Sequence, residues 1–269
     1  MAEAKVTLAA GVWRGGTRVR DARVRPPTVD EQRALFEECE PLLPAERVSV
    51  LLGRCAEVGG DSGPGAARAL SAGDRVQLLL ALRRLMAGDP MPCVLDCPWP
   101  DCGERLELEL RASELIAERD AGGPEHFVEL GGERVCFRLP TGADEERAAR
   151  MAVEAGAEAA TRTLVDACLA QPPASQPARL EDALGAAIAR VDPHVEITLA
   201  LSCPVCERES DVAFDVASYV WRELELRLAR LEREVHLLAS HYGWSEAEIL
   251  ALGERRRARY LELVELEPA

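Results

Sequence analysis

Two short cysteine knuckles constrain this chain more than any other feature. The first reads Cys97-Pro-Trp-Pro-Asp-Cys102-Gly103 and the second Cys203-Pro-Val-Cys206. A tight turn between two cysteines aims both sulfurs at one point, and two such turns can supply the four thiolates of a tetrahedral zinc site. Pro98 and Pro204 stiffen the turns, and Gly103 can take the left-handed conformation such a turn often needs. The expected ligands are therefore Cys97, Cys102, Cys203 and Cys206. Four thiolates close the coordination shell, so the zinc is expected to hold structure and to activate no water. Cys93 lies four residues before Cys97 and is a competing ligand. Cys39, Cys55, Cys136 and Cys168 sit singly in apolar runs and read as small core residues.

The compartment decides how such cysteines are read. Nine cysteines are an odd count, and the N-terminus Met1-Ala2-Glu3-Ala4-Lys5 has no basic start followed by an apolar stretch. No segment reaches the roughly 20 uninterrupted apolar residues of a membrane span. The expectation is a cytoplasmic protein without a membrane partner, where paired cysteines bind metal. Its 47 Asp and Glu against 32 Lys and Arg give a net charge of −15. That balance disfavours a nucleic-acid partner, because phosphate-backbone affinity comes mainly from cationic contacts.

Low aromatic content and abundant Ala, Leu and Arg predict an α+β chain, mainly α-helical, with a zinc-ribbon-like β element formed by the two knuckles. Four segments are expected. Residues 1–27 form an N-terminal strand and basic arm, with Arg14, Arg18, Arg20, Arg23 and Arg25 on either a solvated face or the protein's own acidic surface. Residues 28–92 are helical: two helices broken at Pro41 and Pro44, a loop at 59–65, and a helix capped by Ser71 with Val76, Leu79, Leu80 and Met86 on its apolar side. Residues 93–216 hold the zinc-ribbon-like region. Its expected parts are a strand at Leu106, Leu108 and Leu110, a short helix at 113–119, and a hairpin of 126–130 with 134–139. An Ala-rich helix at 144–170, a linker at 171–177 and a helix at 179–190 follow, with 140–191 as an insertion. Strands at 195–201 and 212–216 flank the second knuckle. Residues 217–269 form a C-terminal helical region.

Each knuckle is followed by an alternating strand and then by Ala-Ser, at Ala112-Ser113 and Ala217-Ser218. This half-repeat favours pairing these four cysteines over any other four. In the C-terminal region, Trp221, Leu224, Leu228, Leu231, Val235, Leu238 and Tyr242 recur at heptad spacing. That seam reads either as a core-facing helix or as one that docks on another protein. Tyr242, Trp244 and the basic run Arg255, Arg256 and Arg257 are candidate partner-binding residues, with Trp244 as the anchor, since aromatic residues dominate interface hot spots. Its alternative role is to pack back on the long helix.

No catalytic motif emerges. The four histidines are scattered, and His236 and His241 are five apart rather than at the spacing of a helical metal pair. The expectation is a protein that is not an enzyme.

Several phrases resemble one family: Gly73-Asp74-Arg75 through Arg83, Arg138-Leu-Pro-Thr-Gly-Ala-Asp144, Asp192-Pro193 ahead of Cys203-Pro-Val-Cys206, and Glu234-Val-His-Leu-Leu-Ala-Ser-His-Tyr-Gly-Trp-Ser-Glu-Ala-Glu-Ile-Leu250. They are similar to the baseplate hub assembly chaperones of contractile-tail phages and of phage-like contractile injection systems. The likeness runs over about residues 25–266. It implies a non-enzymatic assembly factor that binds a baseplate hub, spike or tape-measure protein. The alternatives are a structural baseplate component retained in the particle and, in another class, a zinc-ribbon nucleic-acid-binding module.

Overall fold

The computed structural model describes residues 3–116, 119–130, 132–171 and 180–266. In chain order its elements are β1 (Ala4–Arg14), β2 (Thr17–Val24), α1 (Val29–Cys39), α2 (Pro44–Cys55), β3 (Ala56–Val58), α3 (Pro64–Ala69), α4 (Ala72–Ala87), β4 (Pro90–Asp96), β5 (Arg105–Arg111), β6 (His126–Leu130), β7 (Glu133–Phe137), α5 (Gly142–Ala155), α6 (Ala157–Cys168), α7 (Leu180–Val191), β8 (Thr198–Ser202), β9 (Glu209–Ala213), α8 (Val216–Tyr242), α9 (Glu246–Ala251) and α10 (Glu254–Leu266). The class is α+β. Two compact units divide the chain, Met1–Val220 and Trp221–Ala269.

The first unit is built on an antiparallel sheet ordered β1-β2-β3. Its register shifts between Thr7 and Val12 of β1. Gly11 allows that irregularity: its φ is +67°, and a Cβ there would sit 2.5 Å from the Val19 carbonyl oxygen. Helix α4 supplies what the irregular stretch lacks. Asp74 accepts from the Ala10 and Gly11 N–H groups at 3.0 and 2.7 Å. Gln77 accepts from the Ala9 N–H at 3.3 Å and donates to the Thr7 carbonyl at 3.1 Å.

The five arginines of the basic arm meet the protein's own acids. Arg14 pairs with Asp61, Arg18 and Arg20 with Asp120, Arg23 with Glu3 at 3.8 Å, and Arg25 with Glu31 at 2.7 Å. Glu31 also closes a capping box with Thr28 at the start of α1. The Arg25 hydrogen bonds, then the Thr28 N–H, lower the Glu31 carboxyl from 4.5 to about 2. A lowered folded-state value contributes stability above about 4.5 that disappears as pH falls through about 2. A carboxyl titration by NMR is expected to place Glu31 well below the exposed glutamates, and a midpoint near 4.5 would refute the pairing.

The remaining core of this unit has two further centres. Phe137, Leu139, Cys168, Leu184, Ala187 and Ile188 form one buried cluster, and Leu106 and Leu201 form another with Cys97 and Cys203.

Several local expectations need correction. The Ala-rich stretch is two helices, because Gly156 at φ +89° ends α5 and starts α6. Described residues 113–116 are not helical: the Ser113 N–H and hydroxyl both donate to the Asp89 carboxylate, at 3.0 and 2.8 Å, and hold a turn. Strand β4 precedes the first knuckle, and the 59–65 loop gives way at Pro64 to helix α3. Val195 and Ile197 lie before β8, while Phe214 lies after β9 and Val216 opens α8. Helix α4 has no single apolar side. Leu78, Leu79, Leu80 and Leu82 are buried, and so are Asp74, Arg75, Gln77 and Arg83; Val76 and Met86 are only half-buried. Most of the 171–177 linker lies outside the described residues.

The second unit contains most of α8, then α9 and α10. Leu224, Leu228, Leu231 and Leu238 of the heptad seam are buried, as a core-facing helix requires. Gly243 at φ +68° follows α8, and Ser245 and Glu248 form the capping box of α9.

Candidate metal centre

Each knuckle is the tip of a two-stranded antiparallel hairpin. β4 pairs with β5 up to Asp96 opposite Arg105, and β8 pairs with β9 from Ser202 opposite Glu209. The first cysteine of each knuckle closes the ladder. The Cys97 N–H donates to the Glu104 carbonyl at 2.7 Å, and the Cys203 N–H to the Arg208 carbonyl at 3.1 Å. The residue after each second cysteine is left-handed: Gly103 at φ +60° and Glu207 at φ +58°. That turn brings the next main-chain N–H, of Glu104 or of Arg208, onto the sulfur of Cys102 or Cys206. The two knuckles thus share one construction despite their different lengths.

The four Sγ atoms of Cys97, Cys102, Cys203 and Cys206 all lie within 4.8 Å of one another. Cys97 and Cys206 are 3.8 Å apart, as are Cys102 and Cys203. Every contact runs between thiols rather than disulfide-bonded sulfurs, since all nine cysteines are free. The Arg208 N–H, together with the other groups around it, lowers Cys206 to about 6. Although the Glu104 N–H favours the Cys102 thiolate, desolvation and the neighbouring Cys203 and Cys206 sulfurs push Cys102 up to about 12. Four touching sulfurs cannot all ionise cheaply without a cation among them, so this cluster can hold a metal ion and would release protons on doing so.

The competing cysteine is excluded by geometry. Cys93 is buried in β4 with its thiol 3.3 Å from the Met91 carbonyl. Cys39, Cys55 and Cys168 are buried, and burial pushes Cys55 up to about 12 and Cys168 up to about 11, which makes both thiols inert. Cys136 is half-buried in β7.

A clasp centred on Arg208, whose side chain also hydrogen-bonds the Cys206 sulfur, joins the two knuckles. Arg208 donates to Asp101 at 2.7 Å, and its guanidinium lies 4.6 Å from the centre of the Trp99 ring. Sequence reasoning did not single out these three residues. Their only signal was position, since all lie within or beside a knuckle.

The structure leaves the proposed partner-binding residues in different settings. Trp244 is half-buried, stacked on Tyr242 at 4.6 Å and edge-on to Tyr260 at 4.9 Å. Such ring packing is the geometry expected of a residue folded back on its own unit. Arg257 donates to Glu234 and to the Leu252 carbonyl, at 3.1 and 2.7 Å. Arg255 and Arg256 are exposed.

A serine, an aspartate and a histidine also meet, but not as a nucleophile relay. Ser71 donates to Asp192 at 3.3 Å, and the His194 ring lies 3.5 Å from the same carboxylate. The carboxylate is the middle group, whereas a relay places the imidazole there. All three residues are buried. His236 and His241 are exposed on α8. Among the described residues no helix is long and apolar enough to cross a membrane. No family model, curated protein or solved structure matches the chain.

Proposed function

We propose that Cys97, Cys102, Cys203 and Cys206 bind one structural zinc ion in a zinc-ribbon-like element, and that the protein is a non-enzymatic assembly factor for the baseplate hub or spike of a phage tail or contractile injection system. The zinc assignment is supported by the sulfur geometry. A tetrahedron with Zn–S bonds of about 2.3 Å has edges of about 3.8 Å; two of the sulfur separations here are 3.8 Å, and all lie within 4.8 Å. Four protein ligands leave no position for a reacting water. The metal would join two hairpins far apart in sequence, a structural service rather than a catalytic one.

The assembly role rests on the likeness of four sequence phrases to the baseplate chaperone family, above all Glu234 to Leu250. The client would be a hub, spike or tape-measure protein. A pull-down from a lysate containing those components, beside mass spectrometry of purified particles, tests the reading. The expected result is capture of one such component and absence of this chain from finished particles. Fixed stoichiometry in the particle would make it a retained baseplate component instead, and failure to capture any of the three would reject the assembly role.

A further inference from the structure

We propose that the outer edge of β1 is a docking groove for an extended segment of another protein, with acidic and apolar side chains in alternation. This inference is independent of the cysteine centre and of the assembly reading. β1 is the outermost strand of its sheet. Two observations fix which of its main-chain groups face outward. The Thr7 carbonyl accepts from Gln77 of α4 and so points away from β2. Opposite Thr7, the Asp21 carbonyl accepts from the Gly59 N–H, so Asp21 faces away from β1. Antiparallel pairing alternates, so the Lys5 main chain points outward like that of Thr7.

Among the described residues the edge is sealed on one side of this point only. Gln77 fills the place of a neighbouring strand's peptide group between Thr7 and Ala9, and Asp74 takes the N–H groups of Ala10 and Gly11. Ahead of that plug, Ala4, Lys5, Val6 and Thr7 form one wall of a groove of about 930 Å³. The groove also has an apolar surface from Ala81, Leu85 and Ile116.

Charge identifies the occupant. Among the described residues the groove is lined by Lys5, Arg20, Arg84 and Arg119 against one acid, Asp89. Arg20 already pairs with Asp120 and Arg84 with Asp89, so Lys5 and Arg119 are the cations that would meet an acidic segment. The whole chain runs the other way, with 47 acidic and 32 basic residues. Strand addition uses main-chain hydrogen bonds for affinity and alternate side chains for specificity. A segment entering here would turn apolar side chains to Leu85 and Ile116 and acidic ones to the cations.

The test uses the full-length protein and fluorescein-labelled peptides, one alternating Glu and Val and a control alternating Lys and Val. Anisotropy is expected to show saturable binding of the Glu–Val peptide and none of the control. Lys5→Pro removes the outward N–H while leaving the β2 side of the ladder intact, because proline is tolerated where an edge strand's N–H faces away from its partner. It is expected to weaken binding about tenfold or more. Arg119→Glu acts on charge at an exposed position and is expected to weaken binding as well, with an unchanged melting temperature. No binding of the Glu–Val peptide at millimolar concentration would overturn the proposal. So would affinity unaffected by Lys5→Pro, or equal competition by inorganic pyrophosphate, which would mark a small-anion site.

Discussion

Chelation of the metal, or Cys203→Ser, is expected to lower the melting temperature of the first unit by about 10 °C. The knuckle cluster has little else to hold it. Its buried members are Leu106, Leu201, Cys97 and Cys203, with Leu95, Leu108, Leu199 and Val212 partly buried around them. Small zinc peptides gain roughly 10–16 kcal/mol from their metal because nothing else folds them. Here the main core of the unit persists, so a loss of about 3–5 kcal/mol is a reasonable scale, and each kcal/mol moves the melting point about 2–4 °C in a domain of this size. Without the ion the cluster would take up protons, because Cys102 lies near 12. Metal analysis and calorimetry check the prediction together. Native protein is expected to carry one zinc per chain and Cys203→Ser almost none. A metal-free native sample, or a mutant that melts like the wild type, would reject the site.

The second large effect is expected at Gly73→Ala. Helix propensity alone predicts the opposite sign, since alanine is about 1 kcal/mol better than glycine inside a helix. The local structure forbids that gain. A Cβ at Gly73 would lie 2.1 Å from both carboxylate oxygens of Asp192. Asp192 cannot withdraw freely: it is buried, accepts from the Ser71 hydroxyl and receives the His194 N–H at 3.2 Å. Moving it would strand a buried carboxylate, and uncompensated buried charge costs about 3–5 kcal/mol. Denaturant unfolding is expected to show a loss of about that size. A neutral or stabilised variant would mean that α4 and the 192–194 turn separate readily.

The site was more legible than the fold around it. Both knuckles were readable because cysteine spacing has few meanings, and the two turns obey one local geometry. The first-half strand β4 was not readable, because Pro90 and Pro92 in its sequence argue against a strand. Its single partner is β5, so it is an edge, where proline is tolerated. The break at Gly156 was hidden by an apolar pattern that continues across it. Burial of Asp74, Arg75 and Gln77 had no sequence signal at all. Their partners lie far away, at Ala10 and Gly11 for Asp74, at Ala45 and Ser49 for Arg75, and at Thr7 and Ala9 for Gln77. Periodicity sees neighbours in sequence, whereas these polar groups answer the needs of remote main chain.

The distance between the two hairpins sets a timetable for biosynthesis. Cys102 and Cys203 are 101 residues apart. A ribosome adding about 5–20 residues per second exposes the first pair of thiols for about 5–20 seconds before the second pair exists. During that interval Cys97 and Cys102 can offer a metal only two ligands, and they remain open to oxidation or to capture by other soft ions. Closure of the centre must wait until the segment between the hairpins has been synthesised. Zinc supply would therefore govern the yield of correctly closed chains.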